Sequence, residues 1–141
     1  MLRTASAVWS GPLKEGKGYI TTQSTALTRA PFGFNTRFEE TPGTNPEELI
    51  GAAHAGCFSM ALAARLSEMK LDISKIQTEA AVTLEQSGKE FTITAVHLDL
   101  RANVAGIELK EFEHIANEVK KVCPVSKLLN ADISLSVTLE N

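Results

Sequence analysis

Cys123 is one of two residues in this sequence whose type and neighbours suit covalent chemistry. Pro124 follows it directly, and proline is favoured in the first turn of a helix, so the Cys123 sulfur is expected beside free backbone N–H groups. Such a position lowers the pKa of a thiol and makes it more reactive. The alternative is a small apolar residue at a helix junction.

Cys57, the other cysteine, lies in an apolar segment with helical character. Free cysteine packs like a small hydrophobic residue, so an inert buried thiol is the default interpretation. Activation of this thiol needs a cation brought from elsewhere in the fold. Because a reducing compartment disfavours structural disulfides, the two cysteines are either free thiols or a redox couple.

The histidines offer weaker chemistry. His54 lies one turn before Cys57 and has the spacing of a Cys/His nucleophile pair, but no acidic residue one turn away orients it. We expect a hydrogen-bonded core or interface residue instead. His97 and His114 do not show metal-ligand spacing with the cysteines, so we expect no metal and no bound cofactor.

Composition restricts the classes of function. The chain has 141 residues, 43% hydrophobic and 22% charged, which predicts a single domain over 1–141. Fourteen basic and 17 acidic residues give a net charge of −3, so nucleic acid is not an expected partner. The apolar stretch 49–64 is interrupted by His54 and Ser59 and is predicted to fall short of a membrane span. No secretory signal is recognised, which predicts a cytoplasmic protein.

The first half of the chain predicts short antiparallel strands and one long helix. The strands are expected near 7–9, 18–22 and 34–38. Asn45 suits the cap of the helix, Pro46 its first position, and Glu48 the third position after the cap. This helix is predicted to run to about Met69. Its many Ala and Gly residues allow another backbone, predicted to be a second helix, to approach closely.

The second half predicts a hairpin, two helices and a final strand. Apolar residues alternate over 76–84, the chain turns at 87–89, and the parity of the next strand changes near Ala95, which indicates a β-bulge. Helical spacing follows over 107–122, a short helix begins after Cys123, and alternation returns over 133–139. Strands, helix, strands, helices and strand in this order predict an α+β fold.

The segments PFGFNTRFEETPGTNPEELIGAAHAGCFSMAL and CPVSKLL resemble the osmotically inducible protein C (OsmC) family, which is related to the organic hydroperoxide resistance (Ohr) proteins. The resemblance extends from Trp9 to the last strand. It implies antiparallel sheets around a long central helix in an intertwined homodimer, with two sites at the subunit interface. The implied activity is a thiol-dependent peroxidase, a stress-defence enzyme that reduces organic hydroperoxides and, more weakly, hydrogen peroxide.

The resemblance also assigns roles. It implies that Cys57 is the peroxidatic cysteine and Cys123 the resolving cysteine, with Arg37 and Glu47 as the paired arginine and glutamate. From the residues alone, Arg37 is a solvated strand residue and Glu47 an acid favoured at a helix N-terminus. The implied cycle passes through a Cys57 sulfenic acid and a Cys57–Cys123 disulfide, which an external dithiol, of the lipoyl type in relatives, reopens.

The spacing of Glu47 and Cys57 bears on assembly. Ten residues of helix separate them by about 15 Å, so they cannot meet within one straight helix. Either the helix breaks at Gly51 or Gly56, or Glu47 comes from the other subunit. We favour the second, which predicts a C2 dimer.

An apolar lining is expected around the site, with Phe32, Phe34, Phe58 and Met60 as candidates; the alternative is that they are core residues. Two other functions remain open at this point. One is a non-enzymatic dimer that binds a hydrophobic ligand. The other is a structural dimer with a redox-sensing disulfide.

Overall fold

A computed structural model describes residues 1–141, and the α+β prediction is confirmed. The elements follow in the order β1 (Ala5–Ser10), β2 (Lys17–Thr22), β3 (Ala30–Phe32), α1 (Phe34–Phe38), α2 (Pro46–Glu68), β4 (Asp72–Ser87), β5 (Glu90–Ala105), α3 (Leu109–Val122), α4 (Pro124–Leu128) and β6 (Asp132–Leu139). The chain divides into two compact units, Met1–Leu49 and Ile50–Asn141.

The first unit contains a three-stranded antiparallel sheet in the order β1-β2-β3. The strands predicted near 7–9 and 18–22 are confirmed as β1 and β2. Gly18 is buried in β2, where an added Cβ would lie 2.4 Å from the ring of Phe32. Only glycine therefore lets this aromatic ring lie against the strand.

The strand predicted over 34–38 is wrong, because these residues form helix α1. Phe34 and Phe38 are four positions apart, a spacing that suits one face of a strand and also one turn of a helix. The Thr36 hydroxyl resolves the ambiguity: it accepts a hydrogen bond from the Gly33 N–H at 2.8 Å and donates one to the Gly33 carbonyl at 3.1 Å. These local bonds close a helical turn.

Helix α2 begins and ends within one residue of its predicted bounds. The Asn45 side chain accepts a hydrogen bond from the Glu48 N–H at 2.8 Å, as a capping residue does, and Pro46 occupies the first turn. The helix is continuous through Gly51 and Gly56. The break proposed as one explanation for the Glu47–Cys57 spacing is therefore absent.

The second unit contains a sheet in the order β4-β5-β6. Strands β4 and β5 form the predicted hairpin, and the register shifts opposite Thr83 and Leu84, which leaves Thr94 as an extra residue and confirms the bulge near Ala95. One pairing differs from the expected antiparallel arrangement, because β5 and β6 run parallel. Helices α3 and α4 lie between these strands in the chain and supply the crossover that parallel pairing requires.

The core of this unit lies between its helices and one face of the sheet. Its buried apolar residues are Phe58, Leu62, Leu66, Val96, Leu98, Leu100, Ala102, Val104, Ile107, Phe112, Ile115, Ala116, Val119 and Cys123. Helix α3 ends at Val122 as predicted but begins at Leu109, two residues later than the predicted start at Ile107. Its inner face is the predicted one, except that Val122 is 61% exposed. At Gly51 an added Cβ would lie 3.3 Å from the Ala80 carbonyl, so this glycine lets α2 pack closely on β4.

Helix α2 is not buried on all sides within one chain. Contrary to the prediction, its 23 residues and the mean hydropathy of 1.4 in its most apolar 18-residue segment are sufficient for a membrane span by length and composition. Only 28% of that segment is buried inside the chain. Ala52, Ala53 and Gly56 are exposed, and Met60 is 76% exposed. The opposite face, which includes Phe58, packs into the core described above.

Candidate active site

The structure brings the two cysteines together. The Sγ atoms of Cys57, on α2, and Cys123, between α3 and α4, lie 3.1 Å apart, although 66 positions separate the residues. Both are free thiols; Cys57 is half-buried and Cys123 is buried. A disulfide bond is about 2.05 Å long, so a shift of roughly 1 Å would join the sulfurs.

The surroundings of Cys123 favour its ionised form. Burial alone raises the pKa of the Cys123 thiol, but hydrogen bonds from the Cys57 thiol, the N–H and hydroxyl of Ser126, and the N–H of Val125 outweigh burial and lower it. The expectation that Pro124 places this sulfur beside backbone N–H groups and lowers its pKa is therefore confirmed.

Cys57 has the opposite environment. Burial raises the pKa of the Cys57 thiol, the hydrogen bond to Cys123 raises it further, and the N–H of Val125 offsets only part of the effect. The groups that act on this sulfur include no cation. Within one chain, no cation therefore favours the Cys57 thiolate, and the requirement for an external cation remains.

His54 is a buried, hydrogen-bonded residue, as predicted. Its Nε2 lies 2.7 Å from the Ser126 Oγ, and its Nδ1 is buried without a hydrogen-bond partner. Burial lowers the pKa of His54. No local residue pattern indicates this pair, because 72 positions separate the two residues.

Arg37 and Glu47, both in the first unit, form a fork-shaped ion pair. The Arg37 Nη2 lies 2.7 Å from Oε1 of Glu47, and the Arg37 Nε lies 3.1 and 3.4 Å from the two carboxylate oxygens. The side chains are 36% and 13% exposed. The guanidinium also lies over the Phe38 ring, 5.2 Å from its centroid. The carboxylate and ring together restrict where the guanidinium can point.

An apolar cavity of about 210 Å³ adjoins this ion pair. Two of the four predicted lining residues, Phe32 and Phe34, line it. Phe58 is instead a core residue, and Met60 lies on the exposed face of α2. The remaining wall includes Trp9, Leu13, Phe38 and Pro46.

The other histidines take no part in this arrangement. His97 has both ring nitrogens within hydrogen-bond distance of serine hydroxyls on β6, Ser134 at 2.6 Å and Ser136 at 2.9 Å. His114 is exposed on α3. No group of three or more His, Cys, Asp and Glu side chains is arranged to hold a metal ion.

Comparisons with known proteins agree with the resemblance noted in the sequence. A family model described as OsmC-like protein matches residues 38–138, which include Glu47, Cys57 and Cys123 and begin one residue after Arg37. The chain is 45% identical to Peroxiredoxin OsmC of Escherichia coli over 99% of its length and 97% of that protein's. It is 31% identical to the Organic hydroperoxide resistance protein of Xanthomonas axonopodis pv. citri over 69% and 67% of the two chains.

Solved structures share the fold. The crystal structure of an organic hydroperoxide resistance protein OsmC from Legionella pneumophila is 26% identical, with a TM-score of 0.71 and 99% of each chain covered. The family model and the full-length relative from Escherichia coli together show that this chain belongs to the OsmC family.

Proposed function

We propose that the protein is a thiol-dependent peroxidase that reduces organic hydroperoxides to alcohols in stress defence. The observation that carries the proposal is the 3.1 Å distance between the sulfurs of Cys57 and Cys123, because a two-thiol cycle needs both within bonding reach. The relatives named Peroxiredoxin OsmC and Organic hydroperoxide resistance protein support the same class of reaction.

In the proposed cycle, the Cys57 thiolate attacks one peroxide oxygen. The O–O bond breaks, the alkoxide leaves and takes up a proton as alcohol, and Cys57 becomes a sulfenic acid. Cys123 then forms a disulfide with Cys57 and releases water. An external dithiol reopens the disulfide by thiol exchange and is itself oxidised.

Arg37 is proposed to supply the cation that Cys57 lacks within its own chain. A guanidinium remains charged at any physiological pH, so it favours the thiolate and donates hydrogen bonds to the peroxide oxygens as negative charge develops. The fork with Glu47 fixes its direction. The Glu47 carboxylate is thus a positioning group for the arginine.

A second copy of the chain is proposed to bring Arg37 and Glu47 to Cys57. Along the unbroken α2 helix, Glu47 and Cys57 are about 15 Å apart, too far for one carboxylate to hold a guanidinium at that sulfur. The exposed Ala52, Ala53 and Gly56 form a small-residue surface on α2 that suits close packing against an antiparallel copy.

The cavity beside Arg37 is proposed to hold the organic part of the peroxide. Its aromatic and aliphatic wall gains contact with a cumyl or fatty-acyl group and little with hydrogen peroxide. We expect cumene hydroperoxide to exceed hydrogen peroxide in kcat/KM by a wide margin. Equal values would remove the role of the cavity.

A cytoplasmic location is part of the proposal. Both cysteines are free, and a reducing compartment keeps them so between turnovers. The reductant is proposed to be a small dithiol or a protein-bound dithiol of the lipoyl type, because the Cys57–Cys123 disulfide needs two electrons from thiol exchange.

Peroxide consumption in excess dithiol tests the cycle. The native protein is expected to turn over continuously, Cys57→Ser to consume no peroxide, and Cys123→Ser to lose activity rapidly as its sulfenic acid overoxidises. Lack of thiol oxidation by peroxide would indicate a hydrophobic-ligand-binding protein. Stoichiometric oxidation without turnover would indicate a redox sensor.

Subunit complementation tests the shared site. Arg37→Met and Cys57→Ser are each expected to be inactive, but a mixed dimer has one site with both groups intact. Random mixing should restore about a quarter of the native activity per chain. No restored activity, or an active monomer by light scattering, would contradict the shared site.

A further inference from the structure

A second cavity adjoins the apolar one in the first unit, and the proposed reaction assigns it no role. Its volume is about 370 Å³, and Phe32 lines both cavities. The first is walled largely by aromatic and aliphatic side chains, whereas the second is lined by charged and polar ones that include Lys14, Lys17, Asn35 and Thr41. We call this second space the polar cavity. An apolar compartment beside a polar one suits a ligand with an apolar body and a polar end.

The charge of the polar cavity is positive. Lys14 and Lys17 contribute two ammonium groups, and Glu15 is the acid in its lining. None of the three side chains takes part in an ion pair of the chain. The chain as a whole has a net charge of −3, so this local excess of positive charge is opposite in sign to the protein. Two exposed ammonium groups without a carboxylate partner favour an anionic ligand.

Lys14 connects the two cavities. Its side chain lines the polar cavity, and its Nζ lies over the ring of Phe34, 5.8 Å from the ring centroid. Phe34 lines the apolar cavity, and so does Leu13, the residue before Lys14. A cation over an aromatic ring is attracted to it without losing its charge. The Lys14 ammonium is therefore held at the boundary of the apolar cavity and remains able to pair with an anion.

The distance from Lys14 to Arg37 is limited by a row of two rings. The centroids of Phe34 and Phe38 are 5.1 Å apart, and the Arg37 Cζ lies 5.2 Å from the Phe38 centroid. Together with the 5.8 Å step to Lys14, these distances limit the separation of the two cations to about 16 Å. A hydrogen-bond contact of about 3 Å at each end leaves roughly 10 Å, which a chain of about seven carbon atoms with an oxygen at each end can span.

We propose that Lys14, together with Lys17, selects hydroperoxides that carry a carboxylate at the end remote from the peroxide group. The peroxide lies at Arg37, the hydrocarbon occupies the apolar cavity, and the carboxylate enters the polar cavity. The inference rests on the proposed peroxidase function and deepens it by assigning residues to the far end of the substrate. No bond forms or breaks at the lysines, so the chemistry at Cys57 is the same for every hydroperoxide.

The size of the effect follows from the exposure of the lysines. Ion pairs between exposed side chains are weak, so a single ammonium is expected to change the rate constant by about threefold. A hydroperoxy acid and its methyl ester have the same peroxide group and the same hydrocarbon chain, but only the acid is an anion. The ratio of their rate constants therefore isolates the contribution of the charge.

Stopped-flow measurement of Cys57 oxidation by 7-hydroperoxyheptanoate and by its methyl ester gives this ratio. The test variants are Lys14→Met and the double variant Lys14→Met/Lys17→Met, which remove charge and keep a long side chain. Glu15→Gln removes the acid of the polar cavity and tests the opposite sign. The matched control is Lys110→Met: it removes the same charge from an exposed position of α3 that lines neither cavity.

The acid-to-ester ratio is expected to fall about threefold in Lys14→Met and about tenfold in the double variant, and to rise about twofold in Glu15→Gln. Lys110→Met should keep the native ratio, and Lys14→Arg should keep most of it. In the native protein the ratio should also fall as salt is raised to about 0.5 M, where charges are screened over a few ångströms.

Ratios in Lys14→Met and in the double variant that equal or exceed that of Lys110→Met would overturn the proposal, and so would a native ratio that salt does not change. A partly misfolded variant loses both rate constants alike, so its ratio still decides. Failure of native Cys57 to react with either the acid or the ester would instead overturn the proposed function. The two failures are distinct, because one concerns a ratio and the other the reaction itself.

Discussion

Replacement of Glu47 by Gln tests whether the ion pair directs Arg37 at the peroxidatic sulfur. The variant keeps the size of the side chain and removes the charge that holds the guanidinium at 2.7 Å. Arg37 keeps its own charge, so it should still attract the thiolate, but its donors would no longer be fixed in direction. The expected effect is a slower reaction of Cys57 with peroxide.

The magnitude follows from the geometry. Hydrogen bonds between charged groups contribute about 1.5–3 kcal/mol. Arg37 is 36% exposed, so solvent screening reduces this to roughly 1–2 kcal/mol. If that energy fixes the arginine in the transition state, the rate constant falls about fivefold to thirtyfold.

The assay is the second-order rate constant for oxidation of Cys57 by cumene hydroperoxide, measured under excess peroxide. Glu48→Gln is the matched control: it removes the same charge from the neighbouring position, whose side chain is exposed and whose N–H remains bonded to Asn45. A Glu47→Gln rate within about twofold of the Glu48→Gln rate would refute the positioning role.

Three further predictions concern the cap, the first sheet and the thiol pair. Asn45→Ala should lower the free energy of unfolding in urea by about 1 kcal/mol, whereas Asn45→Asp should not. Gly18→Ala should lower it by about 1–3 kcal/mol, because the added Cβ collides with the Phe32 ring; an unchanged urea midpoint would contradict the packing. In the native protein, ultraviolet absorbance should show the first of the two thiols ionising at a lower pH in the folded than in the unfolded protein, since the pKa of Cys123 is lowered in the fold; an equal or higher pH for this first ionisation would contradict this.

The long helix was predictable because its signals are local. The cap at Asn45, the proline after it and the apolar residues that follow lie within one segment, and the observed helix agrees with them. The turn over 34–38 was not predictable, since a spacing of four between Phe34 and Phe38 fits strand and helix equally. The Gly33–Thr36 bonds that decide between them depend on the conformation itself.

The residue pattern did not predict how strands and helices that are distant in the sequence pair with each other. Alternation over 133–139 predicted a strand but carried no information about its direction, and β6 pairs parallel to β5. Part of the lowering of the Cys123 pKa was predictable from the adjacent Pro124, because the N–H groups of Val125 and Ser126 are local. The contact of Cys123 with Cys57 and the His54–Ser126 bond arise only when distant helices pack, so the first was implied by resemblance and the second was missed.

The two sulfurs have environments suited to successive steps of the proposed cycle. Within one chain, burial and the neighbouring thiol raise the pKa of Cys57, whereas hydrogen-bond donors lower the pKa of Cys123. The peroxide step needs the charge on Cys57, and a cation from a second copy would move it there. Once Cys57 is a sulfenic acid it no longer competes for that charge, and the donors already in place around Cys123 favour the thiolate that closes the disulfide. An assembly-dependent cation for the oxidation of Cys57 and chain-internal donors for disulfide closure would thus serve the two steps in their order.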